Sequence, residues 1–345
     1  MAKALRVAMI GCGRRARQHV EALRADERCE VVAAADVKCE AAEAMRDAFG
    51  GGPAVYTDYE EMLRREKPDM VVGCLWTRLH VGVFKDSVKA GVRLYHSEKP
   101  MAVTWGDCLE MARVAEESGC QLTFCHQRRF KKGNRIAREL IGEGVFGRLL
   151  RMDLYSPPNL LDCGTHTFDQ ALSFNGETPA AWVLGAVDVT KPIKWFDVHA
   201  EEMAVGIVHF ENGVRANIQV GGPDKDMGSG VRVLGEKGFL EVGWDGQFSA
   251  GVVYADPAWR PPVWEQSEDE CMTDLVRDLV DSLETGREPE LGYRKALRAS
   301  EIIFALYESV RRRARVTLPI EIRDNPFLTM LEAGAFAGCG AARES

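Results

Sequence analysis

Leu5-Arg6-Val7-Ala8-Met9-Ile10-Gly11-Cys12-Gly13-Arg14-Arg15-Ala16 is the stretch on which the fold turns. Its first half is a short apolar run, as a buried strand requires. Its second half is G-x-G-x-x-A, opening a helical pattern over residues 15–25. Each small residue has a steric reason: Gly11 permits a tight turn, Gly13 lets a phosphate approach the backbone, and Ala16 lets the helix pack close to the strand. A helix that starts there presents unbonded N–H groups and the positive end of its dipole to an anion. Gly11, Cys12, Gly13, Arg14, Arg15 and Ala16 are therefore read as a pyrophosphate-binding turn. Asp36 ends the next apolar run, about 20 residues after Ala16, where a carboxylate can accept hydrogen bonds from the adenosine ribose. The set predicts a nicotinamide dinucleotide site. Asp36 repels a 2′-phosphate, which favours NAD, while Lys38 nearby keeps NADP open. FAD usually needs a longer chain and further motifs.

Outward from this turn, apolar runs at 30–35, 70–75, 92–96 and 121–125 alternate with helical patterns at 39–49, 59–66, 81–90 and 105–117. This rhythm predicts a doubly wound parallel sheet, an α/β Rossmann domain over residues 1–125. Beyond it the rhythm changes. Helical patterns at 129–142 and 165–174 flank a strand-rich stretch that starts at Gly147 and continues through 182–189, 203–210, 214–220, 230–234, 238–242 and 251–254. Compact turns at Glu211-Asn212-Gly213, Gly235-Glu236-Lys237-Gly238 and Asp245-Gly246 predict hairpins, hence antiparallel strands. Helices at 269–285 and 293–313 and a short strand from Val316 complete an α+β domain over 126–322. Residues 323–345 read as a mobile C-terminal tail, and Trp195, Phe196, Asp197 and His199 as part of a packed loop.

The bulk numbers exclude several classes. A net charge of −8 with both signs interspersed argues against nucleic acid or an anionic membrane surface as partner. The Arg311–Arg315 cluster closes a helix, where cations complement the dipole. No run approaches the roughly 18 apolar residues of a membrane span, and no secretory leader pattern is present. The 10 cysteines are scattered without a C-x-x-C pair, which predicts neither a metal site nor a disulfide framework and suits a reducing cytoplasm.

Two segments carry candidate chemistry. Glu98-Lys99-Pro100 follows the 92–96 run, at a strand's carboxyl end, where ligands of open α/β sheets bind. Lys99 there can polarise a substrate oxygen, although a plain surface turn has the same residues. In Asp162-Cys163-Gly164-Thr165-His166-Thr167-Phe168-Asp169, Asp162 and His166 are four apart and share one face if helical. His166 suits proton transfer near neutral pH. A capping Asp with a buried structural His would look alike.

The order of the glycine loop, Asp36, Glu98-Lys99-Pro100 and D-x-G-x-H-x-x-D resembles the Gfo/Idh/MocA oxidoreductases. His126-Gln127-Arg128-Arg129-Phe130 and the 141–147 segment match as well, and the resemblance spans about residues 5 to 320. It implies a Rossmann domain followed by a domain with a large open, mainly antiparallel sheet. It implies hydride transfer between NAD(P) and a secondary hydroxyl of a sugar, sugar derivative or cyclitol. On it, Lys99 is the catalytic lysine, His166 the proton-transferring histidine and Asp162 the carboxylate that assists it and binds substrate. Glu98, Lys99, Gln127, Thr77 and His80 are expected at the cofactor. The chain departs from the family's common Thr-Pro with Leu75-Trp76-Thr77, so Trp76 either walls the substrate pocket or packs in the core. It also has Ser156-Pro157-Pro158-Asn159 where a Gly-rich stretch is usual, which places Asn159 among the substrate-binding residues. Relatives within the resemblance include glycosidases that oxidise, eliminate and re-reduce while retaining NAD, and a non-catalytic NAD-binding regulator is the third reading. No metal is expected. A homodimer or homotetramer through the open sheet is.

Overall fold

The computed structural model describes residues 4–190, 193–195, 197–222 and 228–336. Their chain forms two compact units that interleave in sequence. The first comprises Met1–Ala102, Asp107–Phe130 and Gln266–Arg294; the second comprises Val103–Gly106, Lys131–Glu265 and Lys295–Ser345.

In the first unit, strands β1 (Leu5–Ile10), β2 (Cys29–Ala35), β3 (Ala54–Tyr56), β4 (Met70–Gly73), β5 (Leu94–Ser97) and β6 (Gln121–Phe124) pair in the order β3-β2-β1-β4-β5-β6. Every pairing is parallel. The order reverses between β1 and β4, and ligands of such sheets bind at the carboxyl ends on either side of that switch point. The strands are apolar without alternation because helices cover both faces. The connecting helices are α1 (Val20–Ala25), α2 (Cys39–Ala48), α3 (Tyr59–Glu66), α4 (His80–Lys89) and α5 (Trp105–Ser118). The pattern at 15–25 resolves into a 3-10 turn, Ala16–His19, leading into α1.

A cut at residue 126 does not describe the first unit alone. Helix α8 (Glu268–Thr285) carries Met272, Leu275, Val276, Leu279, Val280 and Leu283 at helical spacing, and this stripe lies in one core with Val7, Val20, Leu23 and Met45. A Ser267–Glu270 capping box starts the helix, and Gly286 in the left-handed conformation ends it.

The second unit contains α6 (Lys132–Gly142), α7 (Thr165–Phe174) and most of α9 (Tyr293–Arg312). Its sheet comprises β7 (Leu149–Ser156), β8 (Ala180–Asp188), β11 (Met203–Phe210), β12 (Arg215–Gly221), β13 (Gly230–Gly235), β14 (Gly238–Gly243), β15 (Phe248–Val253) and β16 (Val316–Thr317). The strand order is β15-β14-β13-β7-β12-β11-β8-β16. All pairs are antiparallel except β7 with β12. The three turn motifs join β11 to β12, β13 to β14 and β14 to β15, as expected. Helix α9 approaches one face closely because Gly185 and Gly206 pair in register there; a Cβ on Gly206 would lie 2.8 Å from the Leu306 side chain. Leu184, Val205 and Ile207 are exposed on the other face.

Two expectations need correction. Residues 193–200 contain a small hairpin, β9 (Ile193–Trp195) with β10 (Val198–Ala200), rather than a plain packed loop; Phe196 lies outside the described residues. The tail is not loose where it begins. Asn325 caps α10 (Pro326–Glu332), and the buried Phe327 ring lies 5.3 Å from Tyr307. Its Gly/Ala end from residue 337 lies outside the described residues. Among the described residues no helix is long and apolar enough to cross a membrane.

Candidate active site

The glycine loop leaves β1 at Gly11, whose φ is +83° and whose added Cβ would meet the Cys74 carbonyl oxygen at 2.3 Å. Backbone conformation and space both require glycine there. Gly13 differs: a Cβ on it would touch nothing within 4 Å. No protein atom demands a glycine at 13, so its value lies in the open backbone it presents outward, as an approaching pyrophosphate needs. Ala16 is fully buried at the start of the 3-10 turn, whose first turn contains no acid and no side-chain cap. Asp36 binds the loop through one carboxylate oxygen, which accepts the Cys12 N–H at 2.8 Å, while the other accepts the Lys38 N–H of its own turn at 2.9 Å. Arg14 is exposed, and Arg15 reaches Gln18. These residues fit a dinucleotide. Gly11→Ala is expected to destabilise the protein by at least about 2 kcal/mol. Gly13→Ala is expected to leave stability unchanged while weakening NAD binding; denaturant titration and calorimetry separate the two.

At the end of β5, Glu98 and Lys99 are both buried, and the Lys99–Pro100 bond is cis. Burial opposes ionisation of Glu98, but its interaction with His19, with Arg15 and Lys99 nearby, outweighs it and holds the carboxyl down at about 2. The carboxylate is thus a fixed negative charge beside Lys99 at any physiological pH. His19, 3.7 Å from Glu98, was missed by the sequence reading. The available signal was its spacing: three residues after Ala16, it shares that residue's inward face.

The turn after β4 sorts its residues differently from expectation. Trp76 is 59% exposed, which excludes the core-packing reading. Thr77 is buried at the head of a short 3-10 turn. His80 is also buried, and its two ring nitrogens lie 3.2 Å from the carbonyls of Met101 and Leu75. It links the backbone at Leu75 to that at Met101. Burial lowers its affinity for a proton. Gln127 begins the 3-10 turn after β6; its side-chain oxygen lies 3.8 Å from Cys125 Sγ, and its carbonyl receives the Cys271 thiol.

In the second unit, Asp162 lies in a π-helical turn, Leu160–Gly164, immediately before α7, which carries His166. The α-helix expected to carry both therefore begins only after Asp162, with a π turn before it. The i→i+5 bond from Gly164 N–H to the Asn159 carbonyl defines the wider turn. Asn159 is fully buried, and its Oδ1 accepts the Asp162 N–H at 2.8 Å. Through Oδ1 it holds the Asp162 backbone, while its Nδ2 is buried without a hydrogen-bond partner among the described residues. A second anchor was invisible in the sequence. Glu201, fully buried, accepts the Leu160 N–H at 2.7 Å and the Tyr307 hydroxyl at 2.6 Å. Burial pushes its carboxyl upward against these two hydrogen bonds.

Comparison with known proteins agrees with both halves. A family model described as an oxidoreductase family, NAD-binding Rossmann fold, matches residues 5–126, and its C-terminal alpha/beta domain counterpart matches 155–318. The chain is 25% identical over 365 residues to the D-apiose dehydrogenase of Paraburkholderia graminis, covering 96% of this chain and 95% of that protein. It is 30% identical over 188 residues to the D-glucoside 3-dehydrogenase of Escherichia coli (strain K12), covering 49% and 53%. Among solved structures, the WlbA dehydrogenase from Bordetella pertussis, in complex with NADH and UDP-GlcNAcA, superposes with a TM-score of 0.79. That match is 23% identical and covers 92% of this chain and 100% of that one.

Proposed function

Since the chain belongs to the Gfo/Idh/MocA oxidoreductase family and is an NAD(P)-dependent dehydrogenase, we propose that it oxidises a secondary hydroxyl of a sugar, sugar derivative or cyclitol. The observation that carries this reading is Lys99 at the end of β5, followed along the chain by Asp162 and His166, in a sequence similar to a sugar dehydrogenase over 96% of its length. Bound NAD supplies the acceptor for the hydrogen that leaves the carbinol carbon. Lys99 donates a hydrogen bond to the reacting oxygen and stabilises the negative charge it gains. His166 takes the hydroxyl proton. Asp162, its backbone fixed by Asn159, orients the imidazole and accepts a neighbouring substrate hydroxyl. The exposed Trp76 ring offers an apolar face to sugar C–H groups. Thr77 and Gln127 hold the nicotinamide end.

A panel of carbohydrates and cyclitols, followed at the NADH absorbance band with NAD and NADP in parallel, tests the reading. Substrate-dependent accumulation of NADH is expected. Sugar release without NADH would establish the NAD-retaining glycosidase instead, and binding of NAD without turnover of any compound would favour a regulator. Asp36→Ser removes the charged acceptor that faces the ribose and is expected to weaken NAD at least about tenfold while narrowing the NAD/NADP ratio. An unchanged ratio would remove Asp36 from cofactor selection.

We also propose that the exposed apolar strip Leu184, Val205 and Ile207 meets a second copy of the chain, giving a homodimer or homotetramer in a reducing cytoplasm that suits its free thiols. Light scattering at micromolar concentration is expected to give at least a dimer, with Ile207→Glu shifting it to monomer. A monomeric wild type would contradict this assembly.

A further inference from the structure

The first unit contains a buried group of side chains that the proposed reaction does not use. His19 follows the glycine loop, His96 lies in β5, and Cys125 follows β6. They are far apart in sequence, which is why spacing gave no sign of a metal. The parallel sheet brings them together: each offers one ligand atom, and these atoms lie within 4.8 Å of one another. His19 is 2% exposed, His96 1% and Cys125 4%.

The hydrogen bonds around the two rings set their protons. His96 Nδ1 lies 2.8 Å from Thr123 Oγ1, whose hydroxyl also reaches the Tyr95 carbonyl at 3.4 Å; with Nδ1 as the donor to Thr123, Nε2 carries the lone pair. His96 Nε2 is buried and without a hydrogen-bond partner among the described residues. On His19, Nε2 faces Glu98 Oε1, and Nδ1 is likewise buried and without a partner. Two buried imidazoles therefore each have one nitrogen facing an oxygen, at 2.8 Å for His96 and 3.7 Å for His19, and the other unsatisfied. Leaving such atoms unpaired is costly. An oxygen holding the far nitrogen of each ring is also the second-sphere arrangement that orients histidine toward a metal.

We propose that His19 Nδ1, His96 Nε2 and Cys125 Sγ bind a single divalent ion of the zinc class inside the Rossmann unit. Two imidazoles and one thiolate suit that ion over magnesium or calcium, which prefer oxygen. The thiol becomes a thiolate on binding: the S–H bond breaks, the S–metal bond forms and the proton passes to solvent, so the ion binds more tightly as pH rises. Glu98 supplies a balancing negative charge, since it forms a second group with His19 and Cys74 whose ligand atoms also lie within 4.8 Å. The role is structural: the ion ties the turn after the glycine loop to the ends of β5 and β6.

The test uses full-length, tag-free protein stripped of metal and titrated with Co²⁺. The expected result is one Co²⁺ per chain, a near-ultraviolet thiolate-to-cobalt band and visible bands of tetrahedral intensity. Cys125→Ser should abolish the thiolate band. Thr123→Val, which keeps the side chain's shape but removes the acceptor on His96 Nδ1, should weaken Co²⁺ about 10- to 100-fold. Circular dichroism checks the fold of each variant, and Thr123→Val decides the matter should Cys125→Ser fail to fold. Absence of these bands in the wild type would mean that water satisfies the two nitrogens, and the proposal falls. It falls equally if the thiolate band survives in folded Cys125→Ser, or if Thr123→Val binds Co²⁺ as tightly as the wild type.

Discussion

His166→Gln is expected to lower kcat by about 100- to 10,000-fold, the range for losing a positioned general base. Glutamine can still hydrogen-bond a substrate hydroxyl but cannot take its proton. The KM for the sugar should therefore move far less than kcat, and NAD binding, measured by calorimetry, should not move at all. The pH profile gives a second readout. A base must be unprotonated to act, so wild-type kcat/KM rises with pH through the titration of the base, and this acidic limb should vanish in the variant. His166 stands on α7 just beyond the π turn that carries Asp162, and that turn is anchored by Asn159, Glu201 and Tyr307. A purely structural role for His166 would instead lower stability and leave the acidic limb in place.

Lys99→Met is expected to lower kcat by about 100- to 1,000-fold, as when a preorganised donor to a developing oxyanion is removed. Methionine keeps the unbranched side chain and much of its volume but removes the charge. Its effect should fall on kcat, because the oxygen gains negative charge only as the reaction proceeds. If Lys99 and His166 serve one hydroxyl, the double variant should lose little more than the worse single variant. Losses that multiply would separate the two residues into independent roles.

Much of the first unit was legible because its signals are local. The glycine loop, Asp36 and the strand–helix rhythm each depend on residues near in sequence, and so do the hairpin turns of the second unit. The α8 stripe was legible as a buried face, but a stripe does not say which core it joins; its contacts with α1 are long-range. The π turn was hidden for a similar reason, since its anchors lie far along the chain, Glu201 in the turn between β10 and β11 and Tyr307 on α9. The start of α10 was readable in principle, with Asn325 as a cap and Pro326 in the first turn. The Gly/Ala-rich end beyond it drew the whole segment into a tail. At the site, the family resemblance placed His80 at the cofactor and Asn159 at the substrate. Their hydrogen-bond partners, the Leu75 and Met101 carbonyls and the Asp162 N–H, become visible only in the fold.

The most direct measurement of the central claim uses a substrate from the carbohydrate panel labelled with deuterium at the carbon that is oxidised. After turnover with NAD, the deuterium should reside in the reduced nicotinamide that accumulates, in stoichiometry with the ketone formed. Deuterium returned to a sugar product with no net NADH, or NADH whose new hydrogen comes from solvent, would contradict a dehydrogenase that transfers this hydrogen directly from a secondary alcohol.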